Sequence, residues 1–97
     1  MFLEIVTPEA ILFSSEIDSL SVPGSNGAFQ MLNNHAAIVS TLKGGTVGIH
    51  VHNQDSLDVD ALSDKLVPQA DDNKILTLEI NSGTVEMQDN KIILLVD

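Results

Sequence analysis

The longest unbroken run of large apolar residues in this chain extends only from Ile92 to Val96, and such short runs recur between turn signals along its whole length. A globular helix needs an apolar stripe sustained over about ten residues or more, whereas short punctuated runs are what strands joined by tight turns require. The chain therefore reads as all-β, in the pattern of an antiparallel sandwich or barrel. Residues 2–6 form a first strand that stops at Thr7-Pro8-Glu9. Residues 11–13 and the set Ile17, Leu20 and Val22 follow, ending at the loop Pro23-Gly24-Ser25-Asn26-Gly27. Residues 28–32 and 38–42 read as strands, and the Lys43-Gly44-Gly45 turn leads into residues 46–51, where Val47, Ile49 and Val51 share one face. At the far end, residues 74–80, 84–88 and 91–96 are separated by Asn81-Ser82-Gly83 and Asp89-Asn90, which predicts three consecutive hairpin strands.

Two places break this rhythm. Between residues 53 and 73, Asp55, Asp58, Asp60, Asp64, Asp71 and Asp72 are interleaved with Leu57, Val59, Leu62 and Leu66. Leu57, Val59 and Ala61 alternate as an edge strand would, while Val59, Leu62 and Leu66 fit one stripe of a short helix; a helical or irregular excursion ending near Pro68 is the favoured reading. The last strand is apolar on both faces, although an antiparallel sandwich normally covers only one. Either a loop such as 53–73 shields the second face, or a partner does.

Composition narrows the function. A chain of 97 residues is one domain with room for a single core. The net charge of −10, with four lysines and no arginine, works against phosphate backbones and anionic membrane surfaces, so neither nucleic acid nor direct membrane insertion is expected. Any partner should be basic or apolar. With no cysteine, disulfides and thiolate metal sites are excluded, and a reducing cytoplasm is compatible. The start Met1-Phe2-Leu3-Glu4 has no basic leader region, so a soluble or peripheral chain is expected.

Candidate chemistry is sparse. His50 and His52 would share a strand face and could hold zinc with a carboxylate, but no third ligand is identifiable, and polar surface is the plainer reading. His35 has no serine or cysteine partner by spacing, which leaves it a local packing or interfacial role. The acidic segment lacks the glycine and closing glutamate of a calcium loop. Gly44-Gly45 with Gly48 precedes a strand and lacks the Gly-Lys-Ser/Thr ending of a phosphate cradle. No catalytic residue, metal site or cofactor is expected.

The stretch Val22-Pro23-Gly24-Ser25-Asn26-Gly27-Ala28-Phe29-Gln30-Met31-Leu32-Asn33-Asn34-His35-Ala36-Ala37-Ile38-Val39 resembles the epsilon subunit of F-type ATP synthases, where a Gly-Ser/Ala-x-Gly turn opens a strand that leads to a His-Ala-Pro step. The resemblance extends upstream through Leu3-Glu4-Ile5-Val6-Thr7-Pro8-Glu9 and Leu12-Phe13-Ser14. Downstream it takes in Leu42-Lys43-Gly44-Gly45-Thr46-Val47 and the closing hairpin from Gly83-Thr84-Val85-Glu86-Met87 to Asp97. The chain departs from the family at Asn33-Asn34, which stand for Pro-Gly, at Ala37, which stands for proline, and at the acidic insertion.

The resemblance implies a flattened antiparallel β-sandwich of about ten short strands and a non-catalytic central-stalk role that couples proton or sodium flow to ATP synthesis. Its partners would be the gamma subunit and the membrane c-ring, at the cytoplasmic face of a bacterial inner membrane. By carry-over, Ser25, Asn26, Gly27, Ala28, Phe29, Gln30, Met31 and Leu32, with Asn33, Asn34 and His35, are expected at the c-ring, and Ile93 and Leu95 at gamma. The family's C-terminal helical pair, which restrains hydrolysis and in some members binds ATP, has no counterpart before Asp97, so neither role carries over. A generic protein- or carbohydrate-binding sandwich is the alternative; its sugar-binding form wants an exposed Trp or Tyr, and the chain has neither.

Overall fold

The computed structural model describes residues 1–52, 65–69 and 74–97. Ten strands are found among them: β1 (Phe2–Val6), β2 (Ile11–Glu16), β3 (Ser19–Val22), β4 (Phe29–Leu32), β5 (Ile38–Leu42), β6 (Gly45–His50), β7 (Val67–Pro68), β8 (Ile75–Ile80), β9 (Gly83–Gln88) and β10 (Lys91–Val96). They form two five-stranded sheets, ordered β2-β1-β10-β9-β5 and β4-β3-β6-β8-β7. The expected β-sandwich is thus the observed one; most strand ends shift by a residue or less, while β2 runs on three residues to Glu16 and Ile17 falls between β2 and β3.

Alternation explains the layering. Leu3 and Ile5 on β1, Val85 and Met87 on β9, and Ile92, Leu94 and Val96 on β10 point inward from the first sheet. Leu20 and Val22 on β3, Met31 on β4, Val47 and Ile49 on β6, and Leu76, Leu78 and Ile80 on β8 meet them from the second. Because successive side chains point to opposite faces, one row of each strand closes on this aliphatic core and the other faces outward. Opposite Ile5 and Val6 of β1 the register slips, Ile5 facing Phe13 and Val6 facing Ile11, and this bulge on β2 lets neighbouring Leu12 and Phe13 both be buried.

Two features depart from the expectation. The pairing is not wholly antiparallel, since β1 runs parallel to β10, Phe2 opposite Lys91 through Val6 opposite Leu95. Nor do three hairpin strands close the domain: β9 and β10 pair as a hairpin, but β8 belongs to the opposite sheet. Asp89 and Asn90 both have the positive φ that a two-residue hairpin turn demands, at 54° and 64°. Asn81-Ser82 is instead a crossover between layers, carrying the chain from Ile80 in one inner face to Val85 in the other. Periodicity identifies a strand and its faces, not the sheet it joins, which is why the two links looked alike.

Within the acidic insertion, Val67–Pro68 makes a two-residue edge strand against β8, and Leu66 is buried in the core. The expected excursion and its alternative strand otherwise fall on residues 53–64 and 70–73, outside the described residues.

The crossover is capped by Asp97, whose Oδ1 accepts the backbone N–H groups of both Asn81 and Ser82 at 3.2 Å. Partial desolvation pushes its carboxyl up, but the donors from Ser82 and Asn81 outweigh this and hold it below the ordinary 3.8. A group whose folded value is lowered adds stability above its unfolded value and loses that contribution as pH falls through the lowered one. Thermal melts on acidification below 3.8 should therefore show the parent chain losing more melting temperature than Asp97→Asn; equal losses would rule out the cap.

Candidate functional site

The expected c-ring residues lie along one rim of the sandwich and not in a single cluster. Gly27 N–H donates to Gly24 O at 3.0 Å, closing the turn that exposes Ser25, Asn26, Gly27 and Ala28. That turn is tied to the other sheet: Ser25 N–H donates to Thr41 O at 3.0 Å, the Thr41 hydroxyl donates to Ser25 Oγ at 2.9 Å, and Lys43 N–H donates to Pro23 O at 2.9 Å. Edge strand β4 then runs away from it. Phe29 is half-buried and Met31 fully buried against the core, while Gln30 reaches across to donate to Ser19 Oγ and Leu32 is 55% exposed.

Asn33, Asn34 and His35 follow at the opposite end of β4, on the order of 15 Å further at the rise of a strand. Here His35 N–H donates to Leu32 O at 3.0 Å, and Asn34 takes a left-handed φ of 64°. Asn34 N–H donates to Asn90 Oδ1 at 2.8 Å, and Asn90 Nδ2 donates to Asn33 Oδ1 at 2.9 Å. The Met1 ammonium adds a bond to Asn33 Oδ1 at 3.3 Å and a contact to Glu16 at 3.1 Å. The glycine and prolines that the family places here are thus replaced by an asparagine that accepts φ > 0 and by cross-links to the β9–β10 turn. His35 Nδ1 sits 2.7 Å from Ala36 O; a carbonyl only accepts, so the contact places a proton on Nδ1.

The expected gamma residues lie elsewhere, on the outer face of the first sheet. Leu95 is 50% exposed and Ile93 half-buried. Register makes Leu95 part of an aliphatic row, because Val6 stands beside it and Ile11 beside Val6. Sequence reasoning missed Val6 and Ile11, since only the parallel pairing of the first and last strands brings them there. Glu4 and Glu86 flank Ile93 on either side, so the face is an aliphatic strip among acids.

The two histidines have different settings. His50 is half-buried on β6 with its Nδ1 buried and unpartnered, whereas His52 lies beyond the strand end, lining an open cleft with Met1, Glu16, Ile17, Asp18 and Asn33. No group of three potential metal ligands occurs among the described residues. No helix of the described residues is long and apolar enough to cross a membrane.

A family model described as "ATP synthase, Delta/Epsilon chain, beta-sandwich domain" matches residues 1–64. The ATP synthase epsilon chain of Campylobacter fetus is 38% identical over 95 residues, covering 98% of this chain and 59% of that relative. That of Chlorobaculum tepidum is also 38% identical over 95 residues, covering 98% of this chain and 86% of its own length. The chain therefore spans about three fifths of the first relative and most of the second. The same fold occurs in a chain of the Tetrahymena thermophila mitochondrial ATP synthase central stalk and c-ring, with a TM-score of 0.68 at 14% identity over 98% of this chain and 61% of that one. A chain of the Euglena gracilis mitochondrial ATP synthase assembly gives 0.72 at 12% identity, over 97% of this chain and 48% of its own length. This chain belongs to the ATP synthase delta/epsilon family and is its β-sandwich domain, of the epsilon-chain kind.

Proposed function

We propose that the chain acts as a non-catalytic central-stalk element that links the gamma subunit to the c-ring of a rotary ATP synthase, so that proton or sodium flow is coupled to ATP synthesis at the cytoplasmic face of the bacterial membrane. The observation that carries this reading is relatedness to epsilon chains over 98% of this chain. The mechanics agree with it. Two sheets closed on one dense aliphatic core, with the Gly24–Gly27 turn hydrogen-bonded across to β5, resist sliding of one layer over the other. Torque then passes through the domain without local opening.

In this reading the aliphatic strip at Ile93 and Leu95, extended by Val6 and Ile11, meets gamma, and the rim from Ser25 to His35 meets the c-ring. The flanking acids ask for a gamma surface with an apolar centre and basic surroundings.

The test is co-purification with gamma and with the membrane sector from the same source. Leu95→Glu should lose gamma, and the pair Asn33→Asp with His35→Glu should weaken the membrane sector. Asn33→Asp keeps the Oδ1 acceptor, so both variants should melt close to the parent, as exposed substitutions do, within about 0.5 kcal/mol. A parent chain that ignores gamma, or variants that bind like the parent, would refute the assignment.

A further inference from the structure

We propose that Asn26-Gly27 is a self-modifying site, at which Asn26 converts spontaneously to aspartate and isoaspartate. The Gly27 backbone nitrogen attacks Asn26 Cγ, the bond from Cγ to the amide nitrogen breaks, and the proton shed by the Gly27 nitrogen leaves with ammonia. Water then opens the resulting cyclic imide. Cleavage between Cγ and the Gly27 nitrogen gives aspartate, and cleavage between the Asn26 backbone carbonyl carbon and that nitrogen gives isoaspartate. No enzyme or co-reactant other than water is needed.

The surroundings favour this asparagine over the others described. Asn26 and Gly27 are both exposed at the tip of a turn, and the Asn26 side chain makes no hydrogen bond among the described residues. Gly27 brings no Cβ to crowd the attacking nitrogen, and the position a Cβ would occupy is open space for 4 Å around, at a φ of 132°. Among the described residues, the turn bond from Gly27 N–H to Gly24 O is what holds the nucleophile back. Asn33 and Asn90 have their side chains bound to each other, and the Asn81 side chain is bound to Asp97. Asn34 is the closest comparison: its side chain is also uncommitted and its successor's N–H is likewise bound, His35 to Leu32 O, but that successor carries a Cβ where Gly27 has none.

The product adds one negative charge to the exposed turn of a chain already at −10, and the isoaspartate form lengthens the backbone within the turn that ties β4 to β5. The conversion does not depend on the contact assigned to residues 25–35, though its effect on that contact does.

The purified chain is aged at mildly alkaline pH and digested, and each asparagine peptide is followed by mass spectrometry, with isoaspartate counted by isoaspartyl methyltransferase labelling. Conversion at Asn26 should run several-fold ahead of Asn34, Asn81 and Asn90 and rise with pH, because the attacking N–H must lose its proton. Asn26→Ser should remove most of the methyl label, and Asn26→Asp should reproduce the charge shift of the aged chain. Conversion at Asn26 no faster than at Asn34, or undiminished label in Asn26→Ser, would overturn the proposal. Either result can be obtained whether or not the chain binds gamma or the c-ring.

Discussion

Leu94→Ala should cost about 3 kcal/mol, within the range of about 2–5 found for truncating a buried leucine, and lower the melting temperature by roughly 15 °C. Leu94 is fully buried at the centre of β10, whose neighbours are β1 on one side and β9 on the other. The truncation both withdraws apolar contact and leaves a cavity that paired strands on both flanks cannot collapse to fill. Leu95→Ala supplies the control. It changes the same residue type one position along, on the opposite face, where half the side chain is already in solvent, so its cost should stay within about 0.5 kcal/mol. Denaturant melts of the two variants measure the difference. Equal costs would mean that the two faces of β10 are wrongly assigned.

Gly83→Ala, the second large effect, adds only a methyl group, yet it should destabilise the fold by about 1–3 kcal/mol through overpacking. A Cβ at Gly83 would lie 2.5 Å from the Leu95 carbonyl oxygen and 3.4 Å from Val96 Cγ1. The carbonyl belongs to the β9–β10 ladder, and Gly83 is also registered against Leu42 on β5, so neither side can yield without disturbing pairing. Gly27→Ala would meet no such neighbour, only the strain of its φ. A melt of Gly83→Ala indistinguishable from the parent would show that the ladder bends more readily than this geometry allows.

How much of this could be read in the chain beforehand follows from what alternation encodes. It marks strands and buried faces well, which is why it puts Val47 and Ile49 on one face and gives residues 91–96 two apolar sides. The shape of a two-residue turn is similarly local, and Asp89-Asn90 was legible for that reason. Partnership is not local. Nothing within residues 2–6 states that they lie beside residues 91–96, so the aliphatic row through Val6 and Ile11 was invisible and only its β10 members were named. The same limit hid the crossover at Asn81-Ser82. It also concealed that the eleven residues from Ser25 to His35, contiguous in sequence, end up at both ends of one strand.

The parallel pairing of β1 with β10 has a consequence for synthesis. β1 is synthesised long before β10 yet pairs with it, and among the described residues β1 with β2 is joined within its sheet to β9 and β5 only through β10. Until β10 emerges, the strands of one sheet can pair only as two detached ribbons with apolar faces and open edges, which delays assembly of that sheet. The nascent chain must be kept from associating with its neighbours through those ribbons. The net charge of −10 makes copies mutually repulsive, which works against such association until β10 is in place.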